Sequence, residues 1–248
     1  MIKLNRPPIP SILSNKGSEW TNALLALVKQ YGSYSNIPAE KKESILKNYR
    51  HQQIKDALYP SSNKKCAFCE SFPDDCGNIE IEHFHPKSIY PTEAFDWNNF
   101  LPCCRKCNGA KSDHDTKAYP IINPYIDNPE NHLDIDIISL KAKDEIGQNT
   151  IDVCQLKGTR LYRPYSELLV NFKQFEDDLE DALNELETKD TPIKKRNHLK
   201  KIREAINRLE NLMDPKSKYS FFCRKTITSS KVYQQAKSLL LCEDSKAS

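Results

Sequence analysis

Two cysteine pairs constrain this chain more than any other feature. Cys66-Ala67-Phe68-Cys69 and Cys104-Arg105-Lys106-Cys107 are C-x-x-C knuckles, separated by the 34 residues 70–103. Two intervening residues let the backbone turn tightly and present both sulfurs to one tetrahedral ion, at roughly 2.3 Å for zinc. Two such knuckles complete a four-cysteine site. The gap exceeds the usual ribbon spacing of about 15–20 residues, so a segment with a purpose of its own is inserted between them. The window 64–125 carries six prolines and reads as short strands and loops held by something other than a large core. Structural zinc, on the order of 10–16 kcal/mol in small metal-folded peptides, accounts for its order. Cys103 can replace Cys104 only by breaking the two-residue spacing, and Cys76 adds a further thiol between the pairs. Cys154, Cys223 and Cys242 are isolated and read as core or surface thiols.

A disulfide framework is not the expectation. "MIKLNRPPIPSIL" has three prolines and no apolar h-region, so it does not read as a signal peptide. The early apolar run "ALLALV" (Ala23 to Val28) is too short to span a membrane. A cytoplasmic location with reduced thiols follows. With 37 basic against 34 acidic residues the net charge is only +3, so any nucleic-acid site must come from local clustering rather than overall charge.

Residues 1–17 read as an extended, proline-punctuated arm, too short for a core element and suited to docking on a partner. Ser18 looks like the N-cap of a helix through about Tyr31, and Pro38 starts a second one carrying Ile45, Leu46, Tyr49, Ile54 and Leu58. The alternation in "IDIISLKAKDEIGQNTIDV" (Ile135 to Val153), with Asp144-Glu145-Ile146-Gly147 as its turn, predicts a β-hairpin. From Arg163 onward the pattern is helical. Leu168, Phe172, Phe175, Leu179, Leu183 and Leu186 form one stripe. After Thr191-Pro192, a cap with a first-turn proline, Leu199, Ile202, Ile206, Leu209 and Met213 form another. A last helix is predicted from about Ser229 to Leu241. The charged stretches "EDDLEDALNELE" and "KKRNHLKKIR" read first as solvated faces paired across this helical hairpin, and second as a basic track for a nucleic-acid backbone.

Between the knuckles stands "GNIEIEHFHPKSIY" (Gly77 to Tyr90), a strand-like run ending in Glu82-His83. At a strand end one side chain can hold a cation while its neighbour reaches a water, which is what phosphodiester hydrolysis needs: a cation at the phosphate and leaving oxygen, and a base for the water. In "CNGAKSDHD" the amide oxygen of Asn108 can complete the ligand set at a helix N-terminus, and Lys111, a turn on, can meet the phosphate. His114 and Asp115 fit a supporting role or, more commonly, plain surface polarity.

The order C-x-x-C, E-H-x-x-P, N-F, C-x-x-C-N-x-x-K resembles the HNH endonuclease family, whose site is a ββα-metal unit. The resemblance implies Glu82 and Asn108 as ligands of a catalytic Mg²⁺ or Mn²⁺ and His83 as general base. It implies Asn99 as holder of the loop that orients His83, and Cys66, Cys69, Cys104 and Cys107 as ligands of a structural Zn²⁺. "CAFCE", "IEHFHPKS", "FDWNNFLPCCRKCNGAKSD" and "YPIINP" (Tyr119 to Pro124) are similar to the PtuB-like HNH branch of bacterial anti-phage systems, Septu and the retrons that carry the same effector pair. "RPPIPSIL" and "QLKGTRLYR" (Gln155 to Arg163) look like that branch too, so the likeness covers most of residues 1–165. It implies the toxic effector of a cytoplasmic defence complex, controlled by a PtuA-like ATPase of ABC/SMC type, with a reverse transcriptase and its msDNA as further partners in retrons. The chain has no G-x-x-x-x-G-K-[ST], so nucleotide control comes in trans.

Two features depart from the pattern. "SIYPTEAFDW" lacks the glycines of many HNH sites, and His85 stands where a basic residue is common. His85 and Lys87 are read as phosphate contacts, with His85 also able to share the metal or compete with His83 as base. Hydrolysis by water needs no 2′-hydroxyl, so DNA and RNA, including tRNA, both stay open as substrates. A non-catalytic zinc-ribbon regulator that binds nucleic acid is the alternative of a different class. The expected architecture is α+β: an arm with two helices (1–62), a ββα-metal core with zinc knuckles (63–125), a β-hairpin connector (126–162) and a helical domain (163–248).

Overall fold

The computed structural model describes residues 1–73 and 78–247, so Cys76 lies outside the described residues. The chain divides into two compact units, one of residues 1–133 with 140–157, the other of 134–139 with 158–248. Among the described residues no helix is long and apolar enough to cross a membrane.

The first unit opens with ten extended residues that belong to its own core. Met1, Ile2 and Leu4 are buried. The Leu4 N–H donates to the Pro124 carbonyl at 2.9 Å. Arg6 lies on the Tyr125 ring at 3.6 Å and donates to the carbonyls of Trp97 (2.9 Å), Asn98 (2.9 Å) and Phe100 (2.6 Å). The arm is therefore a structural brace, which corrects the expectation that it is too short for a core role. Helix α1 (Ser11–Tyr31) starts directly after Pro10 and not at Ser18, because Leu13 sits in the core and burial there extends the helix backward. Gly32, at φ 77°, ends it in the left-handed conformation that favours glycine.

The helix expected from Pro38 is broken into α2 (Ala39–Leu46), a 3₁₀ turn (Lys47–Arg50) and α3 (Gln52–Leu58). His51 makes the break: its backbone is extended and its Nδ1 caps α3 by accepting the Gln53 N–H at 3.2 Å. Leu13, Leu24, Ile54, Leu58, Ile81, Phe95, Trp97 and Phe100 share one apolar core with these helices.

Strands β1 (Ile79–His83) and β2 (Phe100–Cys104) pair antiparallel, with Ile79 opposite Cys104 and His83 opposite Phe100. Helix α4 (Arg105–Lys111) follows β2 without a linker. It begins two residues before the Cys107 expected from sequence, so Asn108 sits inside it, not at its N-terminus. After the helical turn Pro129–His132 come β3 (Leu133–Asp136) and β4 (Ser139–Ala142), a short two-stranded sheet. The predicted hairpin is thus correct in kind but half as long. Asp144 is not its turn but the N-cap of α5 (Glu145–Val153), its carboxylate accepting the Gly147 N–H at 2.8 Å.

The second unit is helical: α6 (Thr159–Glu187), α7 (Pro192–Met213), α8 (Ser220–Ser229) and α9 (Lys231–Ala247). Thr191 caps α7 through the Lys194 N–H, with Pro192 in the first turn as predicted. Leu179, Leu183, Ile202, Ile206 and Leu209 form the buried seam, and Tyr165 stacks on Phe222 at 4.2 Å. Helix α8 was not anticipated from the sequence. The charged stretches form local pairs such as Lys173 with Glu176 and Asp177, and Lys194 with Asp190, while Glu185, its pKa lowered first by Lys189, also feels the charge of Lys201 across the hairpin.

Candidate active site

The four sulfurs of Cys66, Cys69, Cys104 and Cys107 lie within 4.8 Å of one another and are buried. Cys69 and Cys104 sulfurs are 3.8 Å apart, close to the edge of a tetrahedron around an ion with bonds of roughly 2.3 Å, about 3.8 Å. Cys66 opens a turn closed by Glu70, whose N–H donates to the Cys66 carbonyl at 3.0 Å and whose φ is 58°. Burial pushes the Cys66 thiol well above its ordinary pKa. Thiolates this close repel one another unless a cation lies among them, so the donor set fits zinc. Cys103 stands beside the cluster, 4.0 Å from the Cys66 sulfur, but the converging fourth sulfur is that of Cys104. Among the described residues this is the one group of three or more His, Cys, Asp or Glu whose ligand atoms converge.

Strand β1 and helix α4 also line an open cavity of about 460 Å³. Strand β1 contributes Glu80, Glu82 and His83, the following loop Lys87, and α4 Arg105 and Asn108. The strand's period of two puts Glu80 and Glu82 on one face. His83 is 3% exposed. Its Nε2 is 2.8 Å from the Ala94 carbonyl oxygen. A carbonyl only accepts, so Nε2 carries the proton and Nδ1 has the free lone pair. Among the described residues Nδ1 has no hydrogen-bond partner, and His83 is one of the residues that line the cavity. Tyr49 and Phe100 hold the ring edge-on at 4.7 and 5.2 Å. The break after α2 puts Tyr49 there. Burial first, and then the charge of Lys87, push the His83 pKa down to about 3, so the imidazole is neutral near neutral pH.

Asn99 ties down the loop that carries Ala94. Its Oδ1 accepts the His85 N–H at 2.6 Å, and its Nδ2 donates to the carbonyls of His85 (2.9 Å) and Glu93 (3.1 Å). Glu82 is 6% exposed and accepts from the Lys111 ammonium at 2.7 Å. Burial raises its pKa, against the opposing pull of Lys111. Lys111, expected at a phosphate, is 1% exposed and also donates to the His83 carbonyl at 2.9 Å. It is an internal counter-ion of Glu82, because its place on the helix turns it inward under β1. Asn108 donates from Nδ2 to Glu80 at 2.7 Å.

His85, expected beside Lys87, does not line the cavity. Thr116 donates its hydroxyl proton to the Phe84 carbonyl at 3.0 Å, so the 2.6 Å contact between His85 Nδ1 and Thr116 Oγ1 is donated by His85. That bond fixes the ring on Thr116. Lys87 lines the cavity, and among the described residues it forms no ion pair. Burial lowers its pKa, and Glu82 works against that. His114 and Asp115 serve the surface: His114 contacts the Tyr119 carbonyl at 2.8 Å, and Asp115 accepts from the Tyr90 hydroxyl at 2.8 Å. Sequence reasoning missed Arg105 and Glu80. Glu80 was signalled by the alternation in "IEIEH".

No protein-family model matches the chain. It is similar to the Septu protein PtuB of Bacillus thuringiensis, 39% identical over 178 residues, which is 71% of this chain and 62% of that protein. It is also similar to the Septu protein PtuB of Bacillus mycoides (strain KBAB4), 27% identical over 199 residues, 63% of each chain. The chain thus spans a little under two thirds of the length of these curated relatives.

Proposed function

Starting from a chain that is a homologue of the Septu PtuB proteins, we propose a metal-dependent HNH endonuclease. It hydrolyses nucleic-acid phosphodiester bonds as the effector of an anti-phage defence complex. The observation that carries this reading is the His83 imidazole: neutral, locked by the Ala94 carbonyl in one tautomer, with Nδ1 unbonded among the described residues, in a residue that lines one cavity with Glu82 and Asn108.

Glu82 and Asn108 would hold a divalent cation, Mg²⁺ or Mn²⁺, which when bound supplies charge stabilisation to the phosphate and the leaving oxygen. His83 Nδ1 takes a proton from a water as the water oxygen attacks phosphorus and the bond from phosphorus to the 3′ oxygen breaks. The Ala94 carbonyl keeps accepting from Nε2 and steadies the imidazolium that forms. Lys87 and Arg105 are the cavity's cations for the phosphate. Asn99 acts at one remove, through the loop. A zinc ion among the four cysteines would pin β2 and α4 to the first knuckle and so fix Asn108 against β1. Because the chain has no nucleotide-binding loop, a PtuA-like ATPase would impose control in trans.

Purified protein incubated with plasmid DNA, tRNA and Mg²⁺ or Mn²⁺ tests the reading. The wild type is expected to cleave one of these substrates. His83→Ala is expected to lose at least about 100-fold, the low end of what a general base contributes, with zinc content unchanged. Undiminished cleavage by that variant would remove His83 from the chemistry. Tight binding of nucleic acid by the wild type with no cleavage would favour the zinc-ribbon regulator.

A further inference from the structure

We propose that Glu80 is a positioning residue: by taking the amide N–H of Asn108 it turns the amide oxygen toward the cation the site would hold. This rests on the nuclease reading above and adds a residue to it.

The two ends of a primary amide are nearly the same size but opposite in character, one donating and one accepting. An asparagine that is to ligate a cation must therefore be prevented from presenting its NH₂ group. Here the Asn108 Nδ2 donates to Glu80 Oε2 at 2.7 Å. A carboxylate accepts only, so the NH₂ end is committed to Glu80 and Oδ1 faces the other way. Among the described residues Asn108 Oδ1 takes no hydrogen bond, and Asn108 lines the cavity together with Glu82 and His83. Glu80 lies two residues before Glu82 on β1, opposite Cys103 in the register, so the strand presents both carboxylates to α4. Glu82 has its own partner in Lys111, which leaves Glu80 as the acid that fixes the amide. Partners of this kind, one bond behind a ligand, fix its orientation and matter nearly as much as the ligand itself.

The probe is Mn²⁺, with free ion measured by electron paramagnetic resonance on the zinc-loaded full chain, so no catalytic assay is involved. Glu80→Ala is expected to weaken Mn²⁺ binding by roughly 10–100-fold. Glu80→Gln, whose amide oxygen still accepts from Asn108, is expected to retain most of the affinity. Asn108→Ala is expected to lose as much as Glu80→Ala, and the double variant no more than either single one. Wild-type affinity in Glu80→Ala overturns the inference while the nuclease reading stands. Additive losses overturn it as well, since Glu80 would then be a ligand in its own right. No Mn²⁺ uptake by the wild type removes the cation site itself, and the inference falls with it. Unchanged zinc content and circular dichroism in each variant separate these results from misfolding.

Discussion

At the scale of single residues, the chemistry is decided by which partner each polar atom has already taken. His83 illustrates this through its pH behaviour. Its folded pKa is held near 3 by burial and by Lys87, against about 6.5 in the unfolded chain. Between those values the unfolded chain binds a proton that the folded one does not, so stability is complete above pH 6.5 and falls as pH drops. Relative to His83→Gln, the wild type is expected to lose about 1.4 kcal/mol per pH unit below roughly 6, measurable by denaturant unfolding at several pH values. In the native protein the His83 ring is expected to show no titration by NMR between pH 5 and 8, whereas an ordinary midpoint would contradict its burial. Asn99, on the turn before β2, came only from the family resemblance, whereas the joint placement of Glu82 and His83 was legible in the sequence because adjacency at a strand end fixes it. Lys111 and His85 were not, because a helix's rotation and a loop's hydrogen bonds decide where those side chains go. A lysine near an acid reads equally well as a phosphate contact or as its counter-ion.

Elements were readable where a cap is unambiguous and missed where one residue type serves two purposes. Thr191-Pro192 announces α7 because both residues favour a helix start and nothing else nearby competes. Asp144-Glu145-Ile146-Gly147 satisfies both a hairpin turn and an N-cap with its N3 glycine; the cap wins because Ile151 is buried on the α5 face. Asp144→Ala is expected to cost about 1 kcal/mol of stability, seen as a lower thermal midpoint, whereas an exposed turn residue would change it little. Tertiary burial also overrode a local signal at Ser18, where Leu13 pulled the start of α1 back to Pro10. The break at His51 lay beyond sequence reasoning, since its capping bond competes with an otherwise continuous apolar stripe.

At the scale of the molecule, two units with separate cores should respond differently to loss of metal. Strong chelation, or Cys66→Ser, leaves buried sulfurs without a shared cation. It is expected to lower the transition of the first unit while helical ellipticity from residues 159–247 persists. A single transition insensitive to chelator would contradict a metal-dependent first unit. The sequence reading started the helical region at Arg163, from apolar residues spaced by three and four, whereas the second unit also takes in residues 134–139 and begins its long segment at Gly158. That residues 1–10 brace the middle of the chain was not legible, since nothing local in "RPPIPS" names its partners. That brace also bears on the order of folding. Lys3 reaches the Tyr125 carbonyl across 122 residues, and Arg6 grips the carbonyls on either side of Asn99. Lys3 and Arg6 thus meet partners that lie far along the chain, at residues 97–126. Closing so long a loop costs chain entropy before its contacts repay it, so this brace is expected to form after the local elements it ties together.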